Sequence, residues 1–434
     1  MHLAPDAGFP GRSLLKSDTG KSSLAPLAPF RVRSFRYQWP SDLLASLAFE
    51  METLILGWYI LVETRSVVLL AVFGSLQFLG TLIAPLFGVM GDRFGRRTML
   101  CAMRACYALL AIVLMLLSVT GLLTPMLVLV IAALSGLVKP SDLVMRQALI
   151  GDTMPAGQLM NAMGLSRMTM DMARIAGALV GASMFALLGF AYSYVFVAGF
   201  YLFSVGLTLG VSRAHVTGAH ASVGGDAGVA APRLASAWSD LKEGLAYVWN
   251  SPRVLAIMWL AFLINLTAYP LSSGLLPYVA RSIYEIDEVG LSHLVAAFAV
   301  GALIGSILMT LTGGARNPSR FMLRNTLLWY VSVMLFALVE SKLAGMILLL
   351  FVGLFQSATM ITMAVVLLST VSEQFRARIM GVRMLAVYGL PVGLLASGVL
   401  IDSIGFPAAI LASCVIGAAI TAWIGYRWRG HIWH

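Results

Sequence analysis

The chain has 434 residues, 59% of them hydrophobic and only 11% charged, with a formal net charge of +10. A soluble domain is about one-quarter charged, so this composition excludes an ordinary water-soluble fold and implies a surface that faces lipid. The three cysteines, Cys101, Cys106 and Cys414, all lie in apolar stretches, which excludes a disulfide framework and a CxxC metal site.

Residues 1–40 are polar and basic and lack the apolar core of a signal peptide. They are expected to form a disordered cytoplasmic tail. A membrane-spanning helix needs roughly 20 mainly apolar residues. Such runs follow at 41–63, 66–90, 98–119, 123–147, 162–188 and 190–211, and again at 254–279, 290–312, 321–340, 343–370, 379–402 and 404–427. The sequence thus predicts an all-α polytopic membrane protein of twelve transmembrane helices. Several connections are only a few residues long. Gly189 joins the fifth and sixth runs almost directly, and glycine permits the backbone angles of so sharp a turn.

The one long connection, 212–253, falls at the midpoint of the chain. Gly218 to Ala231 is rich in Gly and Ala, as a flexible linker is. Beyond it Leu234, Trp238, Leu241, Leu245 and Val248 recur at spacings of three and four, opposite Asp240, Lys242 and Glu243. That pattern predicts an amphipathic helix lying in the inner membrane interface. The linker divides two six-helix bundles, 41–211 and 254–427, and 428–434 is a short cytoplasmic tail. Two equal halves of this kind are the architecture of a pseudo-symmetric secondary transporter.

The placement of charge fixes an expected orientation. With both termini inside, 26 of the 29 Lys and Arg residues fall on the inner side, and only Arg65, Arg281 and Lys342 remain outside. This asymmetry follows the positive-inside rule and accounts for the basic balance without a nucleic-acid partner. The expected location is a bacterial inner membrane, with the lipid bilayer and a small-molecule substrate as partners. A monomer suffices for such a fold. The six histidines lie at termini or in polar segments without metal-site spacing, so neither a metal nor any other cofactor is expected.

The second connection reads Gly88-Val-Met-Gly91-Asp92-Arg93-Phe94-Gly95-Arg96-Arg97. It resembles the cytoplasmic signature of the major facilitator superfamily. In that signature Gly88 and Gly95 allow close helix approach and a sharp turn, Asp92 caps a neighbouring helix, and the arginines pair with a carboxylate. Asp142 on the fourth helix is the candidate partner. Further stretches narrow the resemblance: Met51-Glu52-Thr53 through Gly57-Trp58, Arg146-Gln147-Ala148-Leu149, Asp240-Leu241-Lys242-Glu243-Gly244-Leu245, and Arg376-Ala377-Arg378-Ile379-Met380-Gly381. They look like the branch of enterobactin-type siderophore exporters and related multidrug exporters, over about residues 35–427. On the fifth helix, Gly177 and Gly181 keep the glycine spacing of an exporter motif, with Ala178 where proline is expected, and the 8–9 connection, Leu311 to Arg320, has no acidic residue. The resemblance implies alternating access around a central cavity lined mainly by helices 1, 4, 7 and 10. It also implies a proton gradient or another substrate's gradient as the energy source.

Ionisable groups within the membrane are functional-site candidates by default. Glu50 lies roughly 13 Å into the first helix at 1.5 Å per residue, near the midplane of a core about 30 Å thick. Glu52 is turned about 200° from it, so one carboxylate faces the cavity and the other a neighbouring helix. The sequence does not say which. Either is a candidate for proton coupling or substrate binding. Asp171 and Arg174 are three apart on the fifth helix, which predicts a pair on one face. Lys139 and Asp142 are likewise three apart, beside the inner gate. Gln77, Asn265, Tyr269, Gln356, Thr359 and Tyr388, with Thr267, Ser357 and Thr362, are candidates for the cavity lining.

These features favour an exporter of a small amphiphilic organic compound, a siderophore or a drug-like molecule, by proton-coupled antiport. An uptake carrier or a lysolipid or lipid transporter of the same fold is the alternative. A membrane-embedded enzyme would need a nucleophile–base pair or a His/Asp/Glu cluster in one region, and the carboxylates here are scattered. A sensor would need an output domain larger than the linker offers.

Overall fold

The computed structural model describes residues 28–81, 83–212, 234–311, 317–371 and 385–429, together with 379, 382 and 383. The described residues form helices and turns, with no strand among them. Eight helices are long and apolar enough to cross a membrane, and two shorter apolar helices add to them.

The first bundle contains α1 (Arg33–Thr64), α2 (Val67–Leu76), α3 (Ala84–Phe94), α4 (Arg96–Val119), α5 (Pro125–Thr153) and α6 (Ala156–Leu209). α2 and α3 together make the second span. α6 is two spans folded back at Gly189, whose φ of 76° and ψ of −178° belong to a region that only glycine occupies freely. α7 (Leu234–Asn250) is the linker helix. The second bundle holds α8 (Pro252–Thr267), which runs on through two π turns to Ile283, then α9 (Glu288–Leu311), α10 (Pro318–Ala337), α11 (Lys342–Thr370), α12 (Gly389–Ile404) and α13 (Phe406–Arg427). Of the residues before α12, 379, 382, 383, 385 and 386 are helical. Among the described residues these helices fit twelve spans in two six-helix bundles.

Local chemistry sets the ends of these helices. Ser66 and Thr124 cap α2 and α5 by accepting from the Leu69 and Leu127 amides at 3.3 and 3.4 Å, and Pro125 occupies the first turn of α5, where a missing N–H costs nothing. Gly405, with φ of 83°, turns α12 directly into α13, as Gly189 does in the other bundle.

One feature differs from the sequence reading. The first helix begins at Arg33, with a 3-10 turn over Ala28–Arg31 before it, so 28–40 is not tail. Its polar residues are used in packing: Gln38 Nε2 donates to the Arg146 carbonyl at 3.1 Å, and Ser34 accepts from the Ser212 amide at 3.3 Å. Residues 1–27, the Gly/Ala-rich linker and residues 430–434 lie outside the described residues. In α7, Val248 is buried, whereas Leu245 and Trp249 are exposed.

Away from the termini the two bundles are zipped together. Ser75 of α2 donates to the Pro391 carbonyl of α12 at 3.0 Å. A Cβ at Gly274 would lie 2.8 Å from Leu394, and one at Gly398 would lie 2.6 Å from the Ala71 Cβ. Small residues bring the helices into this contact where lipid supplies no hydrophobic drive. The cavity lies on the other side of the seam, between the bundles.

Candidate functional site: a charged wall on a central cavity

The cavity encloses about 520 Å³ between the two bundles and is lined mainly by apolar side chains. That volume suits a small organic molecule, since ligand cavities run from about 300 to 1,000 Å³. Its walls come from spans 1 to 8, 10 and 11, with Tyr107 and Tyr201 the contributions of spans 3 and 6, well beyond the four that the resemblance emphasises.

Glu50 lines the cavity and Glu52 does not. The Glu50 side chain is 18% exposed and pairs with Arg174, Oε1 to Nε 3.6 Å. The Glu52 side chain is 5% exposed; its Oε2 lies 3.7 Å from Lys139 Nζ and accepts from the Tyr201 hydroxyl at 3.0 Å. Lys139 also sits 3.9 Å from the centre of the Phe49 ring and within electrostatic reach of both glutamates. Two carboxylates and two cations thus form one neutral cluster spanning helices 1, 4 and 5. Helix 5 is held against α1 by Gly177 and Gly181: a Cβ at Gly177 would fall 2.8 Å from the Glu50 Cβ, and one at Gly181 would fall 2.9 Å from the Met51 Cα.

The pairings differ from those expected by spacing. Arg174 turns to Glu50, and Asp171 pairs with Arg167 at 3.3 Å instead. Asp142 is not the partner of the signature arginines. Arg96 pairs with Asp152 at 2.5 Å and donates to the Ala148 carbonyl at 3.3 Å, while Arg97 donates to the Leu209 carbonyl. Arg93 is exposed beside Phe94, and Gly95, with φ of 87°, makes the turn into α4. Gly88 and Asp92 fall within α3, but the surroundings of both lie outside what is described.

Asp142 belongs to a second cluster, closer to the termini, that spacing did not reveal. Its Oδ2 lies 2.5 Å from Arg146 Nε, and its Oδ1 lies 3.9 Å from Arg104 Nε. Arg104 is fully buried; it pairs with Asp42 and donates to Ser41 and Thr208. Arg146 Nη1 donates to Ser46 Oγ at 2.7 Å and to the Asp42 carbonyl at 3.3 Å. Two arginines and two aspartates from spans 1, 3 and 4 thereby neutralise one another. The signal available in sequence was the i,i+4 spacing of Asp142 and Arg146. Arg104, Arg146, Arg174 and Arg383, counted by sequence among inner-side charges, are instead part of the packed interior or the cavity wall.

The second bundle contributes Asn265, Tyr269, Gln356 and Arg383 to the lining, with Gln77 and Lys139 from the first. Gln77 accepts from Thr53 at 3.4 Å, and Gln356 accepts from Ser272 at 3.1 Å. Thr359, Tyr388 and Asp171 are not among the lining residues. Thr267 is engaged with Tyr330 at 2.7 Å, behind the wall.

The sequence matches the profile of the Major Facilitator Superfamily over residues 39–390. The chain belongs to this superfamily. A search of curated proteins by sequence gives no significant match. Solved structures of the same fold include a bacterial homolog of the human lysosomal transporter Spinster, inward-facing and unoccupied. It is 13% identical, has a TM-score of 0.69, and the match covers 94% of this chain and 99% of that one. The nucleoside transporter NupG is 14% identical with a TM-score of 0.67, covering 91% and 98%. A POT family transporter in complex with 5-aminolevulinic acid is 14% identical with a TM-score of 0.70, covering 92% and 97%. A superfamily member of this fold is a membrane transporter and not an enzyme.

Proposed function

We propose that this transporter exports a small amphiphilic organic molecule by alternating access, coupled to the proton gradient through Glu50. The observation that carries the reading is one carboxylate, Glu50, on the wall of a largely apolar cavity and within ion-pair distance of Arg174 on another helix. A carboxylate in that position has access to protons arriving through the cavity, whereas Glu52 is enclosed by Lys139 and Tyr201.

The cluster of Glu50, Glu52, Lys139 and Arg174 is neutral when all four groups are ionised. Protonating Glu50 leaves one net positive charge and frees Arg174, so proton loading changes the tie between helices 1 and 5. A donor or cationic group on the substrate competes with the proton for the same carboxylate. Mutually exclusive occupancy is what antiport requires, and an inward proton gradient then drives the substrate outward. The resemblance of Gly177 and Gly181 to an exporter motif and of Met51 to Trp58 to siderophore and multidrug exporters supports the direction and the substrate class. With both termini in the cytoplasm of a bacterial cell, the zipped end of the bundles faces outward and the cavity serves the inner side.

The test is proton movement in inside-out membrane vesicles, read with a pH-sensitive dye as siderophores and cationic or zwitterionic amphiphiles are added singly. Substrate-dependent proton release, lost in Glu50→Gln, is the expected result. No release with any compound from well-inserted protein refutes proton-coupled export and favours uptake or lipid transport.

A further inference from the structure

Within the membrane domain the cations facing the cavity are matched, with one exception. Lys139 has Glu52 at 3.7 Å, Arg174 has Glu50 at 3.6 Å and Arg146 has Asp142 at 2.5 Å. Arg383, on the eleventh span just before α12, lines the same cavity from the opposite bundle. Among the described residues it has neither an ion-pair nor a hydrogen-bond partner.

Burial of an uncompensated guanidinium is costly. Water filling an open cavity offsets the cost, but alternating access requires that the cavity close around its contents. The closed state therefore needs an anion on Arg383, and a cavity of this kind can take it from its cargo. Tyr269 lines the same cavity, and its hydroxyl has no hydrogen-bond partner among the described residues. Tyr269 lies within electrostatic reach of Arg383 on its own bundle and of Arg174 on the other, so the pair faces the bundle seam and not lipid. The planar fork of an arginine matches two oxygens of a carboxylate or a phosphate, and a phenol adds a third donor. The second bundle also gives the cavity wall apolar side chains, Met360, Met363, Leu390 and Phe298 among them.

We propose that Arg383 and Tyr269 form a subsite for a terminal oxyanion, a carboxylate or phosphate, carried on the apolar body of the transported molecule. This rests on reading the cavity as the substrate path. It makes the cargo dipolar: a donor or cationic end meets Glu50 on one bundle, and an anionic end meets Arg383 on the other. Each bundle then holds one end of the molecule, so a cargo with both ends draws the bundles together.

The test is equilibrium binding to the full-length protein in phosphatidylcholine nanodiscs, at one pH and without a gradient. The probes are N-octanoylglycine, its methyl ester and octyl phosphate. Wild type is expected to bind the acid and the phosphate at least about tenfold more tightly than the ester, the scale of a hydrogen bond to a charged group. R383Q should bind all three alike, R383K should keep part of the preference, and Y269F should reduce it. Retained ester binding in R383Q shows that its cavity is intact; if that variant does not fold, R383K and the wild-type acid-to-ester ratio still decide. Equal binding of acid and ester by wild type, or a full acid preference in R383Q or R383K, overturns the subsite. Adding phosphatidylglycerol to the nanodiscs separates two sources of the oxyanion. Competition by the lipid assigns the subsite to a lipid headgroup, and unchanged binding assigns it to a free amphiphile. Failure of the subsite leaves proton release and its loss in Glu50→Gln standing, whereas failure of the coupling leaves the acid preference standing.

Discussion

The two bundles share a backbone plan and differ in what they bury. Each ends in a hairpin turned by a single glycine of positive φ, Gly189 in the first and Gly405 in the second. Each also has a glycine contact between its second and fourth spans: a Cβ at Gly80 or Gly136 would strike the opposing backbone at 2.0 Å, and one at Gly301 or Gly353 would do so at 1.9 or 2.1 Å. The first bundle, however, buries Asp42, Glu52, Arg104, Asp142 and Arg146, whereas among the described residues the buried polar side chains of the second are all uncharged. Symmetry governs the scaffold and stops at the ionisable groups. On the described cavity wall one bundle carries paired charges; the other supplies apolar shape, neutral polar contacts and Arg383.

The largest effect separating the bundles should come from the buried quartet. Arg104→Met leaves Asp42 without its strongest partner, and breaking a buried pair costs about 3–5 kcal/mol. A large drop in thermal unfolding temperature in detergent is expected, and an unchanged temperature would mean that the quartet does not hold the bundle. Next come the matched turns. Gly189→Ala and Gly405→Ala should each cost about 1–3 kcal/mol, because their backbone angles belong to a glycine-only region. Unequal costs, measured by the same unfolding assay, would break the symmetry of the scaffold. In the second bundle, Thr267→Val removes a buried hydroxyl pair with Tyr330, a loss of about 1 kcal/mol. A cost as large as that of Arg104→Met would erase the contrast between the bundles.

The smallest expected change in stability is at the signature loop. The Arg96–Asp152 pair is about one-third exposed on each side, so Arg96→Ala should cost under about 1 kcal/mol. Because this pair ties the α3–α4 turn to the end of α5, the same variant should slow the transport cycle well beyond its effect on folding. Unchanged turnover would remove the signature from the conformational machinery.

The fold was legible because twelve apolar runs and a one-sided charge count are local properties of the chain. The turn at Gly189 was legible for the same reason. Partner choice was not. Asp171 and Arg174 have the spacing of a pair, yet close packing of Gly177 and Gly181 on α1 brings Glu50 to Arg174, and no spacing rule contains that contact. Asp142 looked available to Arg96 because both lie toward the cytoplasmic ends of their helices; in three dimensions Arg146, one turn away, claims it. The start of α1 was missed because hydropathy marks Arg33 to Gln38 as solvated, whereas Phe35 and Gln38 are buried against helices α5 and α6. Arg383 counted as one more inner-side charge, and only its place on the cavity wall distinguishes it.

The account stands on Glu50 as the group that links proton and cargo. The most direct measurement compares gradient-driven flux with gradient-free exchange of the same substrate in proteoliposomes, for wild type and Glu50→Gln. The expected result is that exchange survives in the variant, because the cavity and the alternation remain, while accumulation driven by the proton gradient is lost. If the variant still accumulates substrate against its gradient when a proton gradient is applied, Glu50 is not the coupling residue and the proposed mechanism fails.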